Sequence, residues 1–269
     1  KFLGRLRRCG ATDTMARLAW VRMVTLGLMV IGGGDLLRSF TSFTGRSSLM
    51  STSASPRWSR MIRTRAVPEL CVFDLDACLW DKEMYEMQEI PGEDDAVQGD
   101  LLGRGDGVIG VMSGGEKISL HRGALKALQN HADGQYPSMR IAVASSADTP
   151  FAEKVGRKAL SMLEVLPGLT VWQMLLRDWK GEDVNQIGRQ PPLSSNKAQS
   201  HFPRLKAATG VSFDKMLFFD DCLWGDHCAM VAANCREANG KGVVTVRTPS
   251  GLGEREWERG LKMYDMATR

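Results

Sequence analysis

The chain has few cysteines, and they form no recognisable metal-binding pattern. There are six in 269 residues, and none belongs to a C-x-x-C pair. One group of residues could suggest a zinc site: Cys222, His227, Cys228 and Cys235. It lacks the spacing of a common zinc finger. Scattered thiols of this kind are typical of reduced core residues. We therefore expect an intracellular protein rather than a disulfide-rich secreted one.

Acidic residues are scarce in the first 68 positions. This segment holds twelve basic and two acidic residues, which leaves 23 of the 35 basic and 29 of the 31 acidic residues for positions 69–269. The formal charge is thus +10 over residues 1–68 and −6 over residues 69–269. The basic balance describes only the N-terminal segment, so we expect no nucleic-acid binding by the remainder.

Long hydrophobic runs are also missing. The apolar stretch 18–31 is interrupted by Arg22, and fewer than about 18 uninterrupted apolar residues do not comfortably cross a bilayer. We therefore expect no stable membrane span. The sequence gives no basis for predicting an oligomeric state.

The segment 1–67 is interpreted as a basic N-terminal extension, because it is rich in Arg, Ser and Thr and resembles an organelle transit peptide. A secretory signal with 23–31 as its apolar core is one alternative. Sequence upstream of a true start at Met15, Met50 or Met61 is the other. A transit peptide predicts a plastid or mitochondrial location, and otherwise we expect a cytoplasmic protein.

From residue 68 to 269, short apolar runs alternate with longer amphipathic segments. This alternation predicts one α/β domain, a Rossmann-like three-layer sandwich with a parallel sheet. The predicted strands are 70–73, 140–144, 169–175, 215–219 and 242–246. The predicted helices are 122–130, 149–166, 198–209, 226–238 and 254–267. We expect 91–106 and 178–195 to be loops, because both are polar and rich in Gly or Pro.

A small β-hairpin, 108–112 with 117–120, is predicted within the 69 positions that separate Asp76 from Ser145. This interval is too short for a large cap domain as well as the hairpin, so we expect a hairpin flap, no large cap and an open site.

Polar side chains follow three of the predicted strands where each strand ends. Asp74 and Asp76 follow the first, Ser145 and Ser146 the next, and the pair Asp220 and Asp221 a third. Ligands of open α/β sheets bind beyond the carboxyl ends of the strands. A group of carboxylates there suits a hard divalent cation, and with a phosphate ligand it favours Mg²⁺. Lys197 and the serines could supply charge and donors for that phosphate.

The same residues carry a resemblance to the haloacid dehalogenase superfamily. Its four ordered motifs resemble Asp74-Leu75-Asp76 with Trp80, Ala144-Ser145-Ser146, Lys197, and Phe219-Asp220-Asp221. Within the superfamily the chain is most similar to the magnesium-dependent phosphatase-1 family, from about Pro68 to Tyr264.

The resemblance implies a role for each motif residue. Asp74 attacks phosphorus and forms an aspartyl-phosphate, and Asp76 acts as general acid and then general base. Mg²⁺ is held by Asp74, the backbone carbonyl of Asp76 and one of the acidic pair, with Asp221 favoured over Asp220. Ser145, Ser146 and Lys197 hold the phosphoryl group. The implied substrate is a phosphate monoester, either a phosphotyrosine protein or a phosphosugar.

The sequence departs from that family at three places. Cys78 replaces a threonine, Ser146 replaces an arginine, and the stretch 222–226 lacks the family's asparagines. Cys78 and the altered stretch 222–226 motivate one alternative, a catalytically impaired scaffold on a phosphatase fold. A second alternative is a receiver-like switch that is phosphorylated on Asp74, although Asp76 argues against it because it would hasten dephosphorylation. We interpret Trp80 and Trp224 as packing residues near the site, with the mouth of the site as the alternative. The mechanism needs none of the four histidines.

Overall fold

The computed structural model describes residues 65–269, so the expectations about the N-terminal extension lie outside the described residues. Ten strands and six helices follow one another along the described chain. In order they are β1 (Leu70–Phe73), β2 (Ala96–Asp100), β3 (Asp106–Ser113), β4 (Glu116–Ile118), α1 (Arg122–Ala132), β5 (Arg140–Ser145), α2 (Pro150–Met162), β6 (Glu164–Leu166), β7 (Leu169–Thr170), α3 (Val171–Asp178), β8 (Gln186–Ile187), α4 (His201–Thr209), β9 (Met216–Asp220), α5 (His227–Asn234), β10 (Val244–Arg247) and α6 (Glu254–Ala267).

A five-stranded parallel sheet in the order β10-β9-β1-β5-β8 forms the centre of the fold. Successive side chains of β1 point to opposite faces. Cys71 and Phe73 pack into an apolar cluster with α1, α2, α3 and α6, whereas Leu70 and Val72 pack into a second cluster with α4 and α5. Helices thus cover both faces, which confirms the predicted three-layer α/β sandwich.

The register of this sheet brings the carboxyl ends of three strands to within two residues of one another. Phe73 pairs with Val143 of β5 on one side and with Phe219 of β9 on the other. The rings of Phe73, Phe219 and Trp257 of α6 pack against one another, with centroids 5.6 to 6.3 Å apart. This aromatic layer lies directly behind the residues that follow β1 and β9, and it fixes where those residues leave the sheet.

The predicted hairpin is present as β3 and β4, and it belongs to a separate antiparallel sheet in the order β2-β3-β4. The third strand, β2, lies within 91–106, which we expected to be loop. Four glycines and five acidic residues in 91–106 suggested a loop there, but pairing with β3 supplies the backbone hydrogen bonds that make part of it a strand. None of the residues of this sheet lines the cavity described below.

The prediction of a strand over 169–175 was wrong, because a helix starts at Val171. Thr170 caps α3: its Oγ1 accepts a hydrogen bond from Gln173 N (3.1 Å), and Gln173 Oε1 accepts one from Thr170 N (2.9 Å). This reciprocal capping box satisfies two backbone donors at the helix start. The preceding helix ends at Met162, four residues before its predicted end, because 164–166 pairs with 169–170.

Among the described residues, none of the helices combines the length and the apolar character needed to cross a membrane.

We expect Gly123→Ala to destabilise the fold, because α1 and the start of α6 meet at backbone distance there. A Cβ on residue 123 would lie 2.3 Å from the carbonyl carbon of Gly253 and 2.4 Å from Glu254 N. Neither backbone atom can rotate away, so the free energy of unfolding should fall by about 1–3 kcal/mol or more. Urea unfolding measures the change. Gly115→Ala is the control, because a Cβ there meets no atom within 4 Å, and equal stability of the two variants would contradict the packing argument.

Candidate active site

The carboxyl ends of β1, β5 and β9 meet at one edge of the sheet and form the floor of a cavity of about 420 Å³. Every predicted site residue lines this cavity. They are Asp74, Asp76, Ser145, Ser146, Lys197, Asp220 and Asp221. The structure therefore brings together side chains that are up to 147 positions apart in the sequence.

A buried lysine lies at the centre of the floor. Lys197, only 1% exposed, places its Nζ 2.7 Å from Asp74 Oδ1 and 2.7 Å from Asp220 Oδ2. Burial alone would lower the pKa of Lys197, but the two carboxylates outweigh it and raise that pKa above its ordinary value. The side chain therefore stays protonated, and its ammonium holds the ends of β1 and β9 together.

Asp220 is fully engaged by protein groups. Its Oδ1 accepts a hydrogen bond from Cys222 N (2.9 Å), and its Oδ2 lies 3.3 Å from His227 Nδ1 besides the contact with Lys197. Burial alone would raise the pKa of Asp220, but the charge of Lys197 and the hydrogen bonds from Lys197 and His227 outweigh it and hold that pKa below its ordinary value. Asp220 is consequently an ionised anchor for Lys197.

Asp74 and Asp221 have more negative charge around them than the lysine can offset. Ligand oxygens of Asp74, Asp220 and Asp221 lie within 4.8 Å of one another. Burial raises the pKa of both Asp74 and Asp221 above their ordinary values, and the neighbouring carboxylates add to the effect. Three converging carboxylates with one ammonium leave an excess of negative charge, and a hard divalent cation with oxygen ligands would offset it. The donor set therefore fits Mg²⁺.

Asp76 lines the same cavity but does not belong to this cluster of three carboxylates. After Asp74 the chain bends sharply, with Ala77 at φ 50°, and Asp76 Oδ1 accepts a hydrogen bond from the indole Nε1 of buried Trp80 (3.0 Å). Burial raises the pKa of Asp76 to about 7, although the bond from Trp80 favours the ionised form. Trp80 is thus a packing residue, as expected, and it also orients the carboxylate of Asp76.

Seven cavity residues were not anticipated from the sequence, and three of them come from segments that carry no motif. Glu83 and Tyr85 come from a short turn after Trp80, and Arg189 comes from the segment 178–195 that we expected to be irregular. Part of that segment forms β8 beside β5, where Gly188 N donates to Ser145 O (2.9 Å). No motif marks these residues, because only the tertiary fold brings them to the cavity.

His201 fastens the segment around Arg189 to β5. Its Nε2 lies 3.0 Å from both Ser145 O and Gly188 O, and its Nδ1 lies 3.0 Å from the hydroxyl of Ser200. Carbonyl oxygens only accept, so Nε2 carries the proton. Burial and the nearby Lys197 lower the pKa of His201 to about 4, so the ring is neutral at physiological pH. Its role is to position the backbone of Ser145.

Trp224 is exposed rather than packed, contrary to our main interpretation and in agreement with the alternative. It is 75% exposed and lines the mouth of the cavity. Asp226 caps α5 by accepting from Ala229 N (2.9 Å) and pairs with Arg247, so it does not join the carboxylate cluster.

The family model described as Acid Phosphatase matches residues 66–267. No curated protein sequence matches the chain significantly. Among solved structures, the chain is similar to the N-terminal part of the protein BF1531 from Bacteroides fragilis, described as containing a phosphatase domain and as complexed with Mg. The identity is 17% and the TM-score 0.41, and the alignment covers 73% of this chain and 40% of that chain. A likeness this slight carries no conclusion about ligands.

The depressed pKa of His201 predicts a loss of stability in acid. An unfolded histidine has a pKa of about 6.5, whereas the folded value is about 4. Between these values the unfolded state binds more protons, so stability falls as the pH is lowered through the window. From pH 7 to pH 4 the wild type should lose about 2–3 kcal/mol more than His201→Gln. Urea unfolding across this range, with chelator present, measures the difference, and parallel pH profiles would contradict it.

Proposed function

The chain belongs to the acid phosphatase family, and from that premise we propose that it is a Mg²⁺-dependent phosphomonoesterase with Asp74 as nucleophile. The observation that carries the proposal is the convergence of three buried carboxylates around the ammonium of Lys197. Such a site combines a nucleophile, a cation site and a positive charge within one cavity.

The three carboxylates differ in what is left free for chemistry. Both oxygens of Asp220 are occupied by protein donors, which suits a positioning role. Asp221 uses Oδ2 to accept from Leu223 N (2.7 Å), so its other oxygen is available to a metal ion. We assign the metal to Asp74, Asp221 and the backbone carbonyl of Asp76. Bound there, Mg²⁺ would supply Lewis-acid charge that offsets the phosphoryl oxygens.

In the proposed reaction, a carboxylate oxygen of Asp74 attacks phosphorus, and the bond from phosphorus to the leaving oxygen breaks. Asp76 gives its proton to that oxygen, and the alcohol departs. Asp76, now ionised, takes a proton from water as the water oxygen attacks phosphorus, which breaks the bond to Asp74 and releases phosphate. The bond from Trp80 holds Asp76 in place for both transfers.

The phosphoryl group itself needs donors. An ammonium has three N–H donors. On Lys197, two of these donors contact Asp74 and Asp220. The third is available to a phosphoryl oxygen. Ser145 and Ser146 line the same cavity at the end of β5, and their hydroxyls are assigned to the same group.

The scaffold alternative rests on the departures from the family pattern, and the packing around Cys78 weakens it. The thiol is buried and accepts a hydrogen bond from Thr248 Oγ1 (3.3 Å), while Cys78 O accepts one from Leu252 N (2.9 Å). The loop after Asp74 is therefore held from the C-terminal side of the domain. Mg²⁺ binding without turnover of any phosphate monoester would support the scaffold.

We expect Asp74→Asn to abolish hydrolysis of para-nitrophenyl phosphate, because the amide cannot form the phosphoenzyme. With Mg²⁺ present, kcat should fall by at least about a thousandfold, and chelator should block the wild type. Acid-quenched mass spectrometry should find a phosphoryl group on Asp74 only in the wild type. Asp94→Asn, an exposed aspartate outside the cavity, is the control. Full activity of Asp74→Asn would contradict the assignment of Asp74 as the nucleophile.

Asp221→Asn should weaken Mg²⁺ binding, because it removes a ligand charge while leaving the bond from Leu223 possible. Isothermal titration with Mg²⁺ should show the dissociation constant rise by about ten- to a hundredfold. Asp94→Asn again serves as the matched control. If Asp221→Asn binds Mg²⁺ like the wild type, the metal ligand must be sought elsewhere in the cluster.

A further inference from the structure

Two exposed aromatic rings form a corner at the mouth of the cavity. Tyr85 and Trp224 both line it, are 48% and 75% exposed, and have ring centroids 5.9 Å apart with planes at 84°. Contiguous exposed apolar surface that is rimmed by polar residues often marks a ligand-binding groove. Because these two rings meet at nearly a right angle, a ligand lying in the corner would contact both of them.

A carboxylate without a cationic partner lies beside this corner. Glu83 Oε1 accepts a hydrogen bond from Trp224 Nε1 (3.3 Å), and among residues 65–269 no basic side chain forms an ion pair with it. Glu83 is only partly exposed, and Asp221 is close enough to add to the effect of burial in raising its pKa. A half-buried carboxylate with one weak donor is poorly stabilised and would gain from a cation.

The charge of the whole cavity favours the same kind of ligand. Six carboxylates line it: Asp74, Asp76, Glu83, Asp148, Asp220 and Asp221. Lys197 is committed to the floor, and Arg189 already pairs with Asp148, with NH2 3.5 Å from Oδ2. Even with a divalent cation and a phosphate in the floor, Glu83 at the mouth remains without compensation.

We propose that the corner of Tyr85, Trp224 and Glu83 binds a positively charged nitrogen on the alcohol portion of the substrate. The substrate class is then a phosphate monoester of an amino or quaternary ammonium alcohol. Aromatic faces attract such cations electrostatically, and the neighbouring carboxylate adds a full opposite charge. A neutral sugar or an aryl group could touch the rings but would leave Glu83 uncompensated. The proposal rests on the phosphatase function proposed above and deepens it.

The test compares two esters of the same shape. Phosphocholine and 3,3-dimethylbutyl phosphate differ by one atom, a charged nitrogen in place of a neutral carbon. With Mg²⁺, kcat/KM for phosphocholine should exceed that for the neutral ester by about tenfold. Glu83→Gln and Trp224→Ala should each bring the ratio to within about twofold of one. Glu89→Gln is the matched control, because Glu89 is exposed and does not line the cavity, and it should keep the ratio.

The outcomes separate the two proposals. Hydrolysis of para-nitrophenyl phosphate without preference between the two esters overturns the cation site and leaves the phosphatase intact. If neither ester is turned over, each is tested as an inhibitor of para-nitrophenyl phosphate hydrolysis. Equal inhibition by the two esters would then also overturn the cation site. If the protein hydrolyses none of these esters, the proposed phosphatase function itself is wrong. A preference that persists in Glu83→Gln and Trp224→Ala would place the cation elsewhere.

Discussion

The ammonium of Lys197 lies between Asp74 and Asp220, and through this contact it joins three separate parts of the chain. Asp74 follows β1, Asp220 ends β9, and Lys197 precedes α4. Burying one charge alone would be costly, and removing the lysine would leave two carboxylates in a site that already repels them. The geometry of the floor, the excess of negative charge that a metal ion would offset and the donor left for a phosphoryl group all depend on this contact.

The residues that form the floor of the cavity are positioned by buried side chains that take no part in the proposed reaction. His201 fixes the backbone of Ser145 and Gly188, Trp80 orients Asp76, and Thr248 contacts the thiol of Cys78. Each of these side chains is buried, so each lies where packing restricts its motion. The cavity is thus rigid at its floor and open at its mouth, where exposed Tyr85 and Trp224 leave room for variation in the alcohol portion of a substrate.

The aspartates and serines of the floor could be predicted from the sequence because they follow apolar strands, whereas Lys197, which follows no strand, was predicted from the need for a cation near a phosphate and from the family's motifs. The runs ending at Phe73, Ser145 and Asp220 are short, buried and bounded by polar residues, and parallel pairing puts their ends at one edge. The mouth could not be predicted in this way. Glu83, Tyr85 and Arg189 lie in segments without periodicity, and the contacts of His201 place Arg189. The start of α3 was missed for a local reason, since Thr170 and Gln173 form a capping box within a run that looks like a strand.

The distance in sequence between Asp74 and Asp220 has a consequence for synthesis of the chain. When β1 leaves the ribosome, neither Lys197 nor β9 exists, so Asp74 and Asp76 emerge as solvated carboxylates without their partners. The central strand β1 pairs with β5 and β9 on its two sides, and such distant pairing closes slowly. The acidic pocket can therefore assemble only after more than two thirds of the described domain has been made, and until then the apolar strands β1 and β5 are exposed to aggregation and chaperone binding.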